Sequence, residues 1–478
     1  MSGAFERGNA GAGGARPLRS FPNGPLLGSI RPIGDKSLSH RALILAALAA
    51  GPSTIVRPNP GEDVEATAEA LARLGASLER TRQGWSAGGT AGRLRDPDSL
   101  LDLRNSGTGI RLLAGVVAGT GRYAVLSGDA SLRRRPMRRV AEPLRALGAC
   151  VHLRDGELPP VAVQGGEVRP ATIRLPVASA QVKSAILLAG LGLSRRATKG
   201  KAAATVGKGP AGAIIVEEPG PSRDHTERLL QWLGYPIEIE RGRIVLGARE
   251  EPHAGFRWEI PSDPSAAAFF AVAAALVEGS DLTCERVAIN PTRTGAFEVL
   301  RAMGADLEIV GEPGDGPEPA GAIRARGSRL HGTVVAGDRL VRCLDEVPIL
   351  AVAAAAAEGE TRFLDAAELR VKESDRIEAT AALVRALGAE AETGPDWLIV
   401  RGTGGRLRGA RVETRGDHRI AMSALVAGCA ADAPVEIDDG RSIDTSDPSF
   451  LDSMRSAGAG IEGAGIGGEG IGGAGIAG

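Results

Sequence analysis

Two kinds of apolar segment alternate along this chain. The first kind is rich in Ala, Leu and Val on every face: Arg41 to Gly51, Arg111 to Gly119, Ala185 to Gly192, Ala266 to Gly279, Ile349 to Gly359 and Ile420 to Gly428. A helix that is apolar all round belongs in an interior. The second kind is amphipathic and ends each time at a glycine: Leu74-Gly75-Ala76, Leu147-Gly148-Ala149, Leu233-Gly234, Met303-Gly304-Ala305, Leu387-Gly388-Ala389 and Ala457-Gly458-Ala459. Glycine closes helices in the left-handed conformation, and the alternating residues that follow five of the six copies have the period of a strand. The predicted unit is therefore an outer helix, a glycine cap and a strand, with a buried helix beside it. Six units suggest two three-fold domains.

The spacing of the six glycines also locates added sequence. The intervals are 73, 86, 70, 84 and 70 residues. The long second interval contains Ser194 to Ala213, with Arg195, Arg196, Lys199, Lys201 and Lys208 and no apolar periodicity, which predicts a mobile basic insertion on the surface. Met1 to Ser20 reads as a disordered extension. Eleven of the 22 residues from Ala457 onward are glycine, so disorder is also expected at the other end, over residues 463–478. Gly463, Gly465 and Gly468 match G-x-G-x-x-G, but without a strand before them or a helix after them they do not predict a dinucleotide site.

Composition limits what such a scaffold could serve. The 478 residues carry 57 Lys and Arg against 58 Asp and Glu, so no global positive field draws the chain to nucleic acid or to an anionic membrane. Anion recognition has to be local. Cys150, Cys284, Cys343 and Cys429 form no C-x-x-C pair, which argues against a disulfide framework or thiolate metal site and fits a reducing, cytoplasmic compartment. The longest apolar stretch, Ala266 to Val277, is too short to span a bilayer. Six histidines without H-E-x-x-H spacing, and the absence of G-x-S-x-G, leave zinc and serine-hydrolase chemistry without a motif.

Candidate chemistry gathers where the interior helices should begin. Gly34-Asp35-Lys36-Ser37-Leu38-Ser39-His40-Arg41, Asn105-Ser106-Gly107-Thr108-Gly109-Ile110-Arg111 and Ser179-Ala180-Gln181-Val182-Lys183-Ser184 each place hydroxyls, glycine or cations before an apolar run. Unpaired N–H groups at a helix start favour an anion, and Lys and Arg add donors suited to phosphate. An ordinary Ser cap with a solvated Lys is the plain alternative. Ser222-Arg223-Asp224-His225 precedes an amphipathic helix, and Asp417-His418-Arg419 precedes the last apolar one. In Arg133-Arg134-Arg135-Pro136-Met137-Arg138-Arg139 the proline restricts Arg135 to an extended backbone, so its direction is specified. Leu369-Arg370-Val371-Lys372-Glu373-Ser374-Asp375-Arg376 and Asp345-Glu346 set carboxylates among cations. A surface salt-bridge cluster would look the same, but so would a site that moves protons at a bound dianion.

These motifs, with Asn290-Pro291-Thr292-Arg293-Thr294-Gly295 and Asp417-His418-Arg419-Ile420-Ala421-Met422, resemble the 5-enolpyruvylshikimate-3-phosphate synthases, a family of enolpyruvyl transferases. The match runs in order from about Gly24 to about Ile461. It implies an α/β fold of two inverse α/β domains, each of three βαβαββ repeats with buried parallel helices. Residues 34–260 would form one domain, and residues 1–33 with 261–478 the other, with the active site between them and the halves closing on substrate. The implied reaction moves the enolpyruvyl group of phosphoenolpyruvate to the 5-hydroxyl of shikimate 3-phosphate and releases phosphate, without metal or organic cofactor.

By position, Ser37, Arg41, Ser179, Gln181, Ser222, Arg223, Asp345 and Lys372 resemble the shikimate 3-phosphate contacts. Lys36, Gly107, Arg135, Gln181, Arg376 and Arg419 resemble those to phosphoenolpyruvate. Asp345 is the candidate base for the attacking hydroxyl, and Glu373 with Lys36 are candidates for protonating the methylene carbon and assisting phosphate departure. A monomer is expected by analogy with the family. Arg104 stands where glycine is usual, Arg415 where an aromatic is common, and Asp447 where an aromatic often precedes the proline. No lysine occurs in Ser442 to Ser446, so Arg441 is the candidate substitute for a phosphate-contacting lysine. The sister enzyme acting on UDP-N-acetylglucosamine carries a reactive cysteine in a loop that here, Gly128 to Arg139, has none. RNA 3'-terminal phosphate cyclases share the repeat pattern, but the balanced charge and 14 aromatics disfavour a nucleic-acid substrate.

Overall fold

The computed structural model describes residues 14–193, 212–314 and 316–464. Among the described residues, six four-stranded sheets share one strand pattern: a parallel pair, then two antiparallel pairings. In one of them Leu101–Asp102 runs parallel to Tyr123–Ser127, which pairs antiparallel with Leu158–Gln164, itself antiparallel to Cys150–Arg154. The six-fold repeat expected from the sequence is present. All six glycines of the helix endings have positive φ, from 74° at Gly234 to 108° at Gly458, a conformation that glycine alone adopts without strain.

The interior helices are Lys36–Leu48, Gly107–Thr120, Ala180–Gly190, Pro264–Leu276, Val347–Ala356 and His418–Gly428. Each begins two to five residues before the apolar run that announced it. In Lys36–Leu48, Gly107–Thr120, Ala180–Gly190 and His418–Gly428 the extra residues include polar ones that face a cleft rather than a core. Glycine sets the packing of one pair. A Cβ at Gly115 would lie 2.3 Å from the carbonyl oxygen of Ala185, and one at Gly119 would lie 2.4 Å from that of Ala189. Helices Gly107–Thr120 and Ala180–Gly190 therefore meet backbone to backbone, which brings their first turns together.

Buried apolar residues form two large clusters. One draws on Leu38 to Ile260 with Ala288, the other on Leu18 to Ile30 and Ala267 to Ile461. The chain passes between them at two adjacent crossings. There the Asp35 amide donates to the Pro261 carbonyl at 2.8 Å, and the Asp263 amide to the Ile33 carbonyl at 2.8 Å.

Both expected tails need correction at their inner ends. Leu18–Phe21 is an inner strand, paired antiparallel with Val435–Ile437 on one side and Gly460–Gly463 on the other. Leu18 to Ser20 are therefore ordered, and so is Gly463, which lies opposite Leu18. Polar, glycine-rich sequence becomes a strand here because partners more than 400 residues away satisfy its backbone. Residues 1–13 and 465–478, including Gly465 and Gly468, lie outside the described residues. Of the expected insertion, residues 194–211 also lie outside them. Ala213 is described, and it is buried with Ile215 and Val245 rather than part of a surface loop. Among the described residues no helix is long and apolar enough to cross a membrane.

Candidate active site

The polar helix starts converge on a cleft whose walls come from both clusters. On the side of residues 34–260, Asp35 caps helix Lys36–Leu48 by accepting from the Leu38 amide at 2.7 Å. This directs Lys36 and Ser37 into the cleft, where Lys36 Nζ donates to Asp63 Oδ2 at 2.9 Å. Arg41, one turn on, is buried, and its hydrogen-bond partners among the described residues are all neutral: Thr226 Oγ1 at 2.8 Å, Ser184 Oγ at 2.7 Å and the Ser37 carbonyl at 2.8 Å. Burial pulls its pKa down to about 10, still far above neutrality. A buried cation without a bonded carboxylate retains its charge for a ligand.

Two further helix starts complete this wall. Ser106 caps Gly107–Thr120 at the Gly109 amide, and Ser179 stands just ahead of Ala180–Gly190. Gln181 is held at both ends, its Oε1 accepting from Arg111 Nη1 at 2.8 Å and its Nε2 donating to Thr108 Oγ1 at 2.9 Å. Arg111 also donates to the carbonyls of Gly107 and Pro136, and burial, then Arg135 and Arg139, bring its pKa down to about 10. Arg135 has the extended backbone expected before proline, φ −83° and ψ 133°. Its guanidinium donates to Asn105 and lies 3.8 Å from Glu373 across the cleft.

The opposite wall has a different make-up. Asp345 Oδ1 accepts from Lys372 Nζ at 3.1 Å and lies 3.5 Å from Arg376 Nη1, while Oδ2 accepts from Arg223 Nη2, across the cleft, at 2.7 Å. Burial raises this carboxyl, but Lys372, Arg223 and the neighbouring arginines outweigh burial and hold it well below the usual range. Glu373 is held low in the same way, against its burial, by Arg376 and Arg135. Arg376 is buried between Glu373 and Asp417, donating to Asp417 Oδ2 at 2.8 Å. Arg419 lies 3.7 Å from Glu346. His418 is buried, with no partner for Nε2 among the described residues, and burial, then Lys36, bring its pKa down to about 3, so the ring is neutral.

Thirteen of the fourteen residues singled out in the sequence meet in this cleft. Ser222 does not. It donates to Glu218 Oε2 at 2.7 Å, beside the buried Lys183 that bridges Glu218 and Glu227. Arg441 is absent from the cleft wall and pairs with Asp439 at 2.8 Å. The cleft also contains residues whose position the sequence did not announce. Asp63 opens an outer helix with no motif around it. Arg139 and Glu368 pair across the opening at 2.7 Å. Arg111, Arg139 and Arg293 did lie inside quoted motifs, so proximity to Gly107, to Arg135 and to the Asn290 to Gly295 segment was the available signal. Arg104 adopts φ +50°, which explains why glycine is usual there.

Among the described residues, Asp224, His225 and Glu318 are close enough to share a metal ion. Their ligating atoms are already engaged by Asn290, Arg228 and one another. Among the described residues the cleft is lined by ten Lys and Arg side chains against five Asp and Glu, a surplus built for polyanionic ligands.

A family model for EPSP synthase (3-phosphoshikimate 1-carboxyvinyltransferase) matches residues 22–454. The chain belongs to the EPSP synthase family. It is 48% identical over 453 residues to the 3-phosphoshikimate 1-carboxyvinyltransferase of Parvibaculum lavamentivorans, covering 93% of this chain and 97% of the relative. It is 47% identical over 439 residues to that of Thermus thermophilus, covering 91% and 98%. The EPSP synthase structure from Acinetobacter baumannii superposes with a TM-score of 0.81 at 39% identity, covering 94% of this chain and all of that one. The enolpyruvyl transferase NikO of Streptomyces tendae, at 20% identity and a TM-score of 0.70, shares the fold. The family's activity is a transferase step of the shikimate pathway that leads to aromatic amino acids, with phosphoenolpyruvate and shikimate 3-phosphate as substrates.

Proposed function

We propose that the cleft performs enolpyruvyl transfer, with Arg41 and Arg111 on one wall left open for phosphate and Asp345 and Glu373 on the other set among cations to move protons. One observation carries this reading. Arg41 is buried and Arg111 half-buried, each hydrogen-bonded to neutral groups, whereas Asp345 and Glu373 are each bracketed by cations. Ser37, Arg41, Ser179, Gln181 and Arg223 would bind shikimate 3-phosphate together with Lys372. Ser222 would support them from behind, through Glu218, rather than touch the ligand. Lys36, Gly107, Arg135, Arg376 and Arg419 would receive phosphoenolpyruvate, with Gln181 between the two.

Asp345 as found is a weak base, because three cations share its charge. A substrate phosphate that engages Arg223 withdraws one of them and strengthens the base as the substrate arrives. A phosphoenolpyruvate that engages Arg135 and Arg376 raises the proton affinity of Glu373 in the same way. Asp345 then takes the proton of the 5-hydroxyl as that oxygen bonds to C2 of phosphoenolpyruvate, and Glu373 with Lys36 supplies a proton to the methylene carbon, making it a methyl group. As the C–O bond to phosphate breaks with the help of Lys36, that methyl returns a proton to the carboxylate, which restores the carbon–carbon double bond and frees phosphate. Emptying water from the cleft strengthens each cation–oxygen contact. The same reading includes domains at residues 34–260 and at 1–33 with 261–478, a monomer and a cytoplasmic setting, and sedimentation at several concentrations tests the monomer.

Phosphate release by purified protein, with each substrate omitted in turn and the product weighed, is the direct test. Turnover that requires both substrates is expected. Folded protein that binds shikimate 3-phosphate without forming product would sink the catalytic reading. Asp345→Asn and Glu373→Gln should each lower kcat far more than substrate affinity, and unchanged turnover in either removes that residue's role.

A further inference from the structure

The floor of the cleft contains a buried ionic cluster to which the reaction, as outlined, gives no task. Each crossing of the chain ends in an aspartate that caps the next interior helix. Asp35 accepts from the Leu38 amide at 2.7 Å, and Asp263 Oδ1 accepts from the Ser265 amide at 2.8 Å. Both carboxylates are bound by one side chain, Arg293, which is 3% exposed. Its Nη1 donates to Asp35 Oδ2 at 2.8 Å, and its Nη2 to Asp263 Oδ1 at 3.0 Å and Ser265 Oγ at 3.1 Å. Nη1 also lies 3.3 Å from His225 Nε2. Facing a donor, Nε2 has to accept, so the ring proton sits on Nδ1 and is donated to Glu318 Oε1 at 2.7 Å.

A guanidinium buried between two carboxylates is an inefficient way to gain stability, since apolar side chains of equal volume often serve as well. What the planar fork supplies is direction: two acceptors are held at a fixed separation, which a point-charge ammonium cannot do. The residue that lies between the two acceptors is Lys36. It follows Asp35 in sequence, and its own amide donates to the other oxygen of Asp263, Oδ2, at 3.1 Å.

We propose that Arg293 is a positioning residue, which ties the two chain crossings into one rigid piece and so fixes the backbone from which Lys36 projects into the cleft. The proposal rests on the reading of Lys36 as a residue that contacts phosphoenolpyruvate. Arg293 itself transfers no proton and need touch no substrate. Its effect is transmitted through Asp35 and Asp263.

Arg293→Lys retains the charge and removes the fork. Its kcat is expected to fall by about 10- to 100-fold, the size of effect that a misplaced reacting group produces. Affinity for shikimate 3-phosphate measured alone is expected to fall less than kcat, because Ser179, Gln181 and Arg223 belong to other segments and Ser37 and Arg41 alone among its assigned contacts share the helix of Lys36. Combining Arg293→Lys with Lys36→Arg separates positioning from general damage. If Arg293 acts through Lys36, the double variant is scarcely slower than Lys36→Arg alone. Losses that multiply, or an Arg293→Lys enzyme with parental kcat and KM, overturn the proposal. Unchanged turnover in Lys36→Arg alone would instead remove the assigned role of Lys36. If Arg293→Lys does not fold, Asp35→Asn, which preserves the helix cap, serves in its place. It should show a smaller loss that is likewise masked by Lys36→Arg, and either no loss or a multiplying one counts against Arg293.

Discussion

The two walls of the cleft use arginine in opposite ways. On the side of residues 34–260, Arg41 is surrounded by hydroxyls and a carbonyl, and burial lowers its pKa. On the other side burial pulls at Arg376 too, but Asp417 and Glu373 outweigh it and raise the pKa. Arg41 keeps its positive charge uncompensated, whereas Arg376 has already been neutralised by its neighbours. Charge that must bind a dianion is best left unpaired, and carboxylates that must exchange protons need cations to set their affinity. The same residue type therefore has different consequences for stability on the two sides.

The largest effect should come from the neutralised arginine. Arg376→Met leaves Glu373, Asp417 and Asp345 facing one another without their shared cation, and is expected to lose about 3–5 kcal/mol of stability along with activity, read by urea unfolding. Titration should follow. His40 and His418, with pKa values near 3, His253 near 4, and His225 are all depressed by burial, so below about pH 6.5 the unfolded chain binds protons that the folded one refuses. Glu318, pushed up to about 7, Asp447, to about 6, and Glu227, all by burial, oppose this as the pH falls, because the folded state protonates them first. Four imidazoles dominate, and the thermal midpoint is expected to drop between pH 6.5 and 5. The depressed carboxylates Asp345, Glu373 and Asp417 add a further loss below about pH 4, as the pH falls through their folded-state values. A midpoint that rose on acidification would show that the histidines are charged in the fold.

Arg41→Met tests the opposite wall. Thr226 Oγ1 already donates to Ser184 Oγ at 2.7 Å, so the hydroxyls can pair without the guanidinium. Stability is expected to change by less than about 1 kcal/mol while affinity for shikimate 3-phosphate falls about tenfold or more, read by calorimetry. A loss of stability as large as that of Arg376→Met would erase the contrast. Gly107→Ala is milder. Its Cβ would lie 2.7 Å from Arg135 Nη1, the movable end of a long side chain. Displacing that cation should raise KM for phosphoenolpyruvate about tenfold, about 1.4 kcal/mol, with kcat less affected. The smallest effect belongs to Arg104→Gly. It removes a non-glycine residue from φ +50° but also a half-exposed pair with Glu69, so the net gain should stay within about 1 kcal/mol with kcat unchanged.

Much of the cleft was legible in the sequence, and what was missed has a common cause. Lys36, Gly107, Gln181 and Arg419 stand at the starts of interior helices, where local capping and apolar periodicity announce a helix whatever else the chain does. Asp63, Glu368 and the link from Arg293 to Asp35 matter only because elements distant in sequence face one another. Ser222 shows the converse. It sits in a recognisable motif, but Glu218, four residues earlier and on the buried side, captures its hydroxyl. Leu18–Phe21 contains no strong strand signal, and its place in a sheet is decided by Val435–Ile437 and Gly460–Gly463.

By itself, the sequence determined the repeating unit, the number of repeats and the chemical character of the residues at each helix start. These follow from interactions within a few residues: 3.6-fold periodicity, side-chain caps and glycines at positive φ. Only the tertiary structure decided which charges became neutralised and which remained open to a ligand. Coulomb interactions depend on distance through a medium of variable dielectric, and those distances exist only once two halves, crossed twice by one chain, have packed.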